Sequence, residues 1–143
     1  MNISADTKEY VIGIDIGGTN FRIGGVLQDG SLIAEPIKYS SRSMFCSGSP
    51  VEILSQVITD FMCSFPDYHM KGICIGFPGT VDHTKETVIS CPNLLSFTDL
   101  NIAAPLKERF KVPVIAEHDV ILLLSYDIRQ KHLEDADCIV SFY

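Results

Sequence analysis

No apolar run in this sequence approaches the roughly 20 residues needed to cross a bilayer as a helix, so a membrane partner is not expected. No two cysteines stand at C-x-x-C spacing. The five that occur, Cys46, Cys63, Cys74, Cys91 and Cys138, are odd in number and scattered, which argues against a zinc site made of cysteine alone. They read as small buried hydrophobes in a reducing, cytoplasmic setting. Basic residues are scarce: 11 Lys and Arg against 18 Asp and Glu give a formal net charge of -7. They form no cluster, and such a surface repels phosphate backbones, so no nucleic-acid partner is expected. Residues 1–9 lack the apolar segment of a signal peptide and read as a polar tail. Internal repeats and low-complexity segments are absent.

What the sequence does contain is globular: 46% hydrophobic and 20% charged over 143 residues, enough for one domain with a real core. Residues 10–16 are β-branched and stop at Gly17-Gly18, a buried strand. Residues 20–27 form a second strand, and Asp29-Gly30 is a hairpin signal leading to a third at 31–39. A polar loop at 40–49 precedes a helix opened by Ser49 as N-cap and Pro50. Val51, Leu54, Val57, Ile58, Phe61 and Met62 form its apolar face, and Pro66 ends it. A strand at 71–77, parallel to the first, a short extended piece at 87–90 and a helix at 101–110 follow. A strand at 113–117, a helix at 119–132 and a strand at 138–143 complete the order. This predicts an α/β fold: a mixed sheet of three antiparallel strands, then parallel strands, with helices on the faces. A chain that stops on an apolar strand reads as part of a longer protein. It should expose an apolar patch or hide one in a homodimer.

The first chemical candidate is the run Asp15-Ile16-Gly17-Gly18-Thr19-Asn20. Glycines without Cβ let backbone N–H groups approach an anion, and the Thr19 hydroxyl adds a donor. Asp15 can hold Mg²⁺, directly or through water. The run suits the terminal phosphates of a nucleotide; a Gly-Gly turn beside a solvated aspartate is the plainer alternative.

The segment DIGGTNFRIG, residues 15–24, resembles the first phosphate motif of the superfamily of actin, hexokinase and the heat-shock chaperones, in the version of ROK-family kinases. Gly76-Phe77-Pro78-Gly79-Thr80-Val81-Asp82 resembles the ROK segment G-x-P-G-x-V-D. Cys91-Pro92-Asn93-Leu94 resembles its P-N-L, and residues 113–119 its P-V-x-x-E-N-D. Residues 76–127 are most similar to allose kinase, and the whole run to glucokinases. The resemblance implies an actin-like, ribonuclease H-like domain at residues 10–143, the N-terminal half of a hexose kinase. That kinase would move the γ-phosphate of ATP, with Mg²⁺, to a sugar hydroxyl, the 6-OH. It implies that Asp119 is the general base, although an aspartate before a helix is also an ordinary N-cap. It places Asp15, Gly17, Gly18, Thr19 and Asn20 at the phosphates, and Gly79, Thr80, Asn93, His118 and Asp119 at the sugar. The family's Asn before the base is His118 here, and its Asn two positions later is Ile121, which bears on the choice of sugar. The second phosphate motif, the rest of the ATP site and any zinc cluster would lie in a C-terminal domain beyond Tyr143, so this half is expected to be inactive alone. A sugar-sensing ROK regulator and a stand-alone sugar-binding module are the alternatives.

Overall fold

A computed structural model describes residues 8–142. Strand β1 (Lys8–Ile16) buries Tyr10, Ile12, Ile14 and Ile16 and turns Val11 and Asp15 outward. It begins earlier than expected: Lys8 and Glu9 belong to the strand rather than to a tail, and they pair with Tyr68 and His69. Strand β2 (Asn20–Leu27) runs antiparallel to β1. The Asp29-Gly30 turn forms with Gly30 at φ +86°, and Asp29 Oδ1 accepts the Ser31 N–H at 2.9 Å. The third strand is shorter than predicted. Leu32 makes an isolated bridge to Val26, and the ladder resumes only as β3 (Ile37–Ser40). Pro36, which has no N–H to give, precedes that restart.

The polar stretch read as a loop contains one helical turn, α1 (Ser41–Met44), with Ser40 Oγ accepting the Ser43 N–H at 3.4 Å. Helix α2 (Pro50–Ser64) starts at Pro50 as expected, but the Ser49 side chain makes no cap bond. Strand β4 (Tyr68–Phe77) follows, parallel to β1. Three short strands, β5 (Thr80–Val81), β6 (Thr87–Ser90) and β7 (Leu100–Asn101), form a separate small antiparallel sheet. Helix α3 (Ala103–Phe110) is capped by Asn101 Oδ1, which accepts the Ala104 N–H at 2.9 Å. Strand β8 (Val114–His118) and helix α4 (Asp119–Gln130) complete the ordered elements.

The main sheet has the order β3-β2-β1-β4-β8, with antiparallel pairing among the first three strands and parallel pairing beyond. Residues 138–142 form no strand, against expectation; Val140 and Phe142 stand in solvent, and Tyr143 lies outside the described residues. The free edge of β8 is already used, because the Ala116 N–H donates to the Lys85 carbonyl at 2.8 Å. The cysteines also differ from expectation. Cys91 is buried and Cys74 partly so, whereas Cys46, Cys63 and Cys138 are exposed, since they fall on loops or outer helix faces.

Helices α2 and α3 cover one face of the sheet. Leu54, Val57, Ile58 and Phe61 of α2 and Leu106 of α3 join the sheet's buried side chains in one core. Aromatic rings carry this core toward the strand ends: Tyr39, Phe21, Phe45, Phe97 and Phe77 stack in series with centroids 4.8–5.2 Å apart. Helix α4 lies over part of the other face, which is otherwise open and exposes Val11, Leu32 and Ile115 beside Ile121 and Leu123 of α4. Exposed apolar side chains of the kind expected from the sequence are present on this face.

Phe97 is fully buried between two rings, so Phe97→Ala leaves a large cavity. Urea unfolding should show a loss of about 3–5 kcal/mol. Val140→Ala, on the exposed tail, should change stability by less than about 0.5 kcal/mol. Equal effects would refute this account of the core.

Candidate functional site

The parallel strands β1, β4 and β8 end side by side. Asp15 aligns with Gly76, and Gly76 with Glu117. Ligand crevices in α/β sheets form at such carboxyl ends. Here Ile14, Asp15, Gly76, Asp119, Leu122 and Leu123 line an open cleft of about 460 Å³. Both carboxylates singled out in the sequence thus line one cleft. Gly76 permits it: a Cβ there would lie 3.0 Å from Leu122 Cδ1 and 3.8 Å from Asp119 Cα.

The turn into α4 differs from the sequence reading. His118, not Asp119, is the N-cap: its Nδ1 accepts the Val120 N–H at 3.2 Å. Asp119 is the first helical residue. Its Oδ1 accepts the same N–H at 2.7 Å and lies 3.0 Å from His118 Nδ1. A ring nitrogen accepts as well as a carboxylate oxygen does, so histidine can fill the capping position. Asp119 keeps the favourable field of the helix N-terminus.

Behind this turn Glu117 is only 8% exposed. Its Oε2 meets Lys85 Nζ at 2.8 Å and its Oε1 accepts the His118 N–H at 2.9 Å. Burial pushes the Glu117 carboxyl up, but Lys85 and the His118 N–H outweigh it and hold the group below its ordinary value. The same hydrogen-bonded pair raises Lys85. The Cys74 thiol on the neighbouring strand is raised by burial and, second, by the Glu117 charge. Lys85 is delivered by the loop between β5 and β6, where it adopts φ 60°. Asp82 folds that loop, accepting the Thr84 hydroxyl and the N–H groups of Glu86 and Thr87, both at 2.9 Å. The Thr84 hydroxyl, then the Thr87 N–H, hold Asp82 down at about 2.

The other sequence candidates divide. Gly18, Thr19 and Asn93 line a second, almost wholly polar depression together with Arg42. Gly17 and Asn20 close the turn between β1 and β2, the Gly17 N–H donating to the Asn20 carbonyl at 2.9 Å. Gly79 and Thr80 border neither depression. Gly79 has a steric duty instead, since a Cβ there would fall 2.1 Å from the Ser90 carbonyl oxygen. Arg42 and Lys85 were not singled out in the sequence, and Asp82 entered only as the end of the segment at 76–82. The Asp-x-Thr spacing at 82–84 is the turn signal that could have found the loop; nothing in the polar run 40–49 marks Arg42.

Among the described residues no three His, Cys, Asp or Glu side chains converge as a metal cage. Mg²⁺ needs none: it takes one or two carboxylates, water and substrate phosphates. Asp15, exposed on the cleft with Arg22 3.9 Å away, fits that pattern.

Residues 11–140 match the ROK family. The chain belongs to the ROK family. It is 24% identical over 112 residues to a glucokinase of Thermotoga maritima, covering 78% of this chain and 34% of that protein. It is 32% identical over 117 residues to the xylose repressor of Bacillus spizizenii, covering 77% of this chain and 28% of the repressor. Among solved structures it resembles a ROK family glucokinase of Streptomyces griseus in complex with glucose and AMPPNP. There the TM-score is 0.67 at 22% identity, over 84% of this chain and 36% of that one. The chain thus spans about a third of the length of these relatives. The fold is the mixed α/β sheet of the actin-like ROK proteins, and the relatives include both sugar kinases and repressors.

The depressed Asp82 carboxyl makes a pH prediction. The unfolded group binds its proton near the ordinary 3.8, the folded one near 2. Its contribution is complete above about pH 5 and is lost as pH falls toward 2, because the unfolded chain takes up the proton first. Thermal melts should show a shallower fall between pH 5 and 2 in Asp82→Asn than in the parent ROK chain. Parallel curves would remove Asp82 from the acid response.

Proposed function

We propose that this chain is the lobe of an ATP-dependent hexose kinase that carries the catalytic base and the first phosphate loop. The observation that supports this best is the shared cleft of Asp15 and Asp119 at the strand ends. In this reading the sugar hydroxyl lies against Asp119, whose carboxylate takes its proton as the γ-phosphoryl group arrives. The 6-OH is the proposed acceptor, being the most accessible hydroxyl of a hexose. Gly18 and Thr19 face the phosphates with backbone and hydroxyl donors. Asp15 would hold Mg²⁺ through water, and the ion would neutralise charge on the transferring phosphate. His118, next to Asp119, offers a polar contact to the sugar; Asn93, Gly79 and Thr80, proposed for the sugar by the family resemblance, do not line the Asp119 cleft. The lobe alone is proposed to be inactive, because its relatives are about three times as long.

The 32% identity to a xylose repressor supports a second reading, in which the same lobe senses a sugar without phosphorylating it. The two differ in what Asp119 must do. A sensor needs a hydrogen-bond acceptor there; a kinase needs a base.

In the full-length protein, Asp119→Asn should lower kcat by roughly 10²- to 10⁴-fold. Stability should change by less than about 1 kcal/mol, since asparagine is also accommodated at a helix start. Steady-state kinetics and thermal melts measure both. A fully active variant would end the catalytic assignment. His118→Asn should instead change KM or sugar preference over a hexose panel while turnover persists. A His118→Asn enzyme with unaltered preference and KM would leave the histidine as a cap alone.

A further inference from the structure

The depression beside the phosphate loop has a wall that the kinase reading does not use. Ser41 is fully buried and tied to the loop twice: its Oγ donates to the Gly17 carbonyl at 2.6 Å, and its N–H donates to the Thr19 carbonyl at 2.9 Å. The next residue is Arg42. Three residues on, Phe45 is locked into the ring series, 5.1 Å from Phe21 and 4.8 Å from Phe97. The backbone that carries Arg42 is therefore fixed to the loop at one end and to the core at the other.

The groups around the depression are nearly all donors. Gly18, Thr19, Arg42 and Asn93 line it, and no carboxylate does. Among the described residues, the N–H groups of Gly18 and Thr19 find no protein acceptor, and Arg42 forms no ion pair. The walls are in contact, since a Cβ on Gly18 would lie 3.0 Å from Asn93 Cβ. In a chain of net charge -7, such a donor-lined recess is a local exception to the general field. Its size, about 320 Å³, admits a phosphate group with part of its ester.

We propose that Arg42 is a phosphoryl-binding residue, and that its guanidinium, the Gly18 and Thr19 N–H groups, the Thr19 hydroxyl and the Asn93 amide together hold a phosphoryl dianion. Guanidinium is the side chain best matched to such an oxyanion, two N–H bonds to two oxygens. The ligand is the phosphate of a sugar ester or the terminal phosphate of a nucleotide; the chemistry recognised is the same. The proposal deepens the kinase reading by adding a charged contact to its phosphate loop, and it rests on that reading only for the source of the phosphate.

The test is binding, which needs no turnover. The isotope-labelled chain is titrated with inorganic phosphate, with glucose 6-phosphate and with AMPPNP, followed by amide and side-chain NMR. Shifts are expected at Gly18, Thr19 and the Asn93 amide, weakening as salt is raised. Arg42→Gln should raise Kd by at least about tenfold for whichever ligand binds, with Arg42→Lys in between. Tighter binding of glucose 6-phosphate than AMPPNP marks the ester as the source, and the reverse marks the nucleotide. Both orders support the site if Arg42→Gln weakens binding. Unchanged affinity in Arg42→Gln with an intact spectrum, or shifts confined to other regions, overturns it. Because the readout is binding and not turnover, failure of the catalytic assignment of Asp119 leaves this result readable.

Discussion

One buried carboxylate holds the geometry of the cleft. Glu117 sits on the last strand of the sheet, almost out of water, and a charge in that position is costly unless it is paired and hydrogen-bonded. Lys85 and the His118 N–H supply both. The lysine comes from a loop distant in sequence, so satisfying Glu117 also fixes that loop. The Lys85 carbonyl then takes the Ala116 N–H and closes the edge of β8. A sheet edge left bare would invite pairing with another chain. Here one residue neutralises a buried charge and covers an edge.

The consequence reaches the site through the backbone. Glu117 accepts from the N–H of His118, the residue that caps α4, and Asp119 is the first residue of that helix. The direction of the Asp119 carboxylate is thus set by a strand end, a capping ring and a buried pair. Gly76 completes the arrangement from the other side, where Leu122 of α4 packs so closely that a Cβ would crowd its Cδ1 at 3.0 Å. The aromatic series from Tyr39 to Phe77 stiffens the floor beneath the loop of Gly17 to Thr19. Side chains held on strand ends by such packing are positioned more precisely than side chains on free loops.

Much of this was legible in the sequence, and the limits have physical causes. Strand β1 announced itself because it is a β-branched run stopped by glycine, and α2 because its apolar face repeats at helical spacing. The third strand was read too long, because local alternation does not show that Pro36 interrupts a ladder. Residues 138–142 look like a strand, but they join neither of the described sheets. The motifs pointed to Asp15 and Asp119 and to Gly18, Thr19 and Asn93, which the fold gathers into two depressions. Lys85 and Arg42 stayed hidden because their roles come from long-range partners, Glu117 in one case and the loop clamped by Ser41 in the other. No periodicity or spacing encodes those contacts.

The likeness to both kinases and repressors follows from the same architecture. A lobe that seats a sugar against strand ends needs a rigid sheet, a shaped turn and a few polar groups, and these serve catalysis and sensing alike. What separates the two is the demand on charge. Phosphoryl transfer requires an ionised carboxylate at the acceptor and cationic or N–H donors at the phosphate, close together yet not neutralising one another. In this chain the two sets are kept apart. Asp119 lines one recess with Asp15, while Arg42 lines the next with Gly18, Thr19 and Asn93, and no carboxylate enters the second. Asp15 is matched by Arg22 at 3.9 Å on the open face, and Glu117 by Lys85, which leaves Arg42 uncommitted beside the phosphate loop. The kinase proposal calls for an oxyanion to be stabilised beside that cation, and this separation of charge, more than the fold shared with the repressors, is what the proposal rests on.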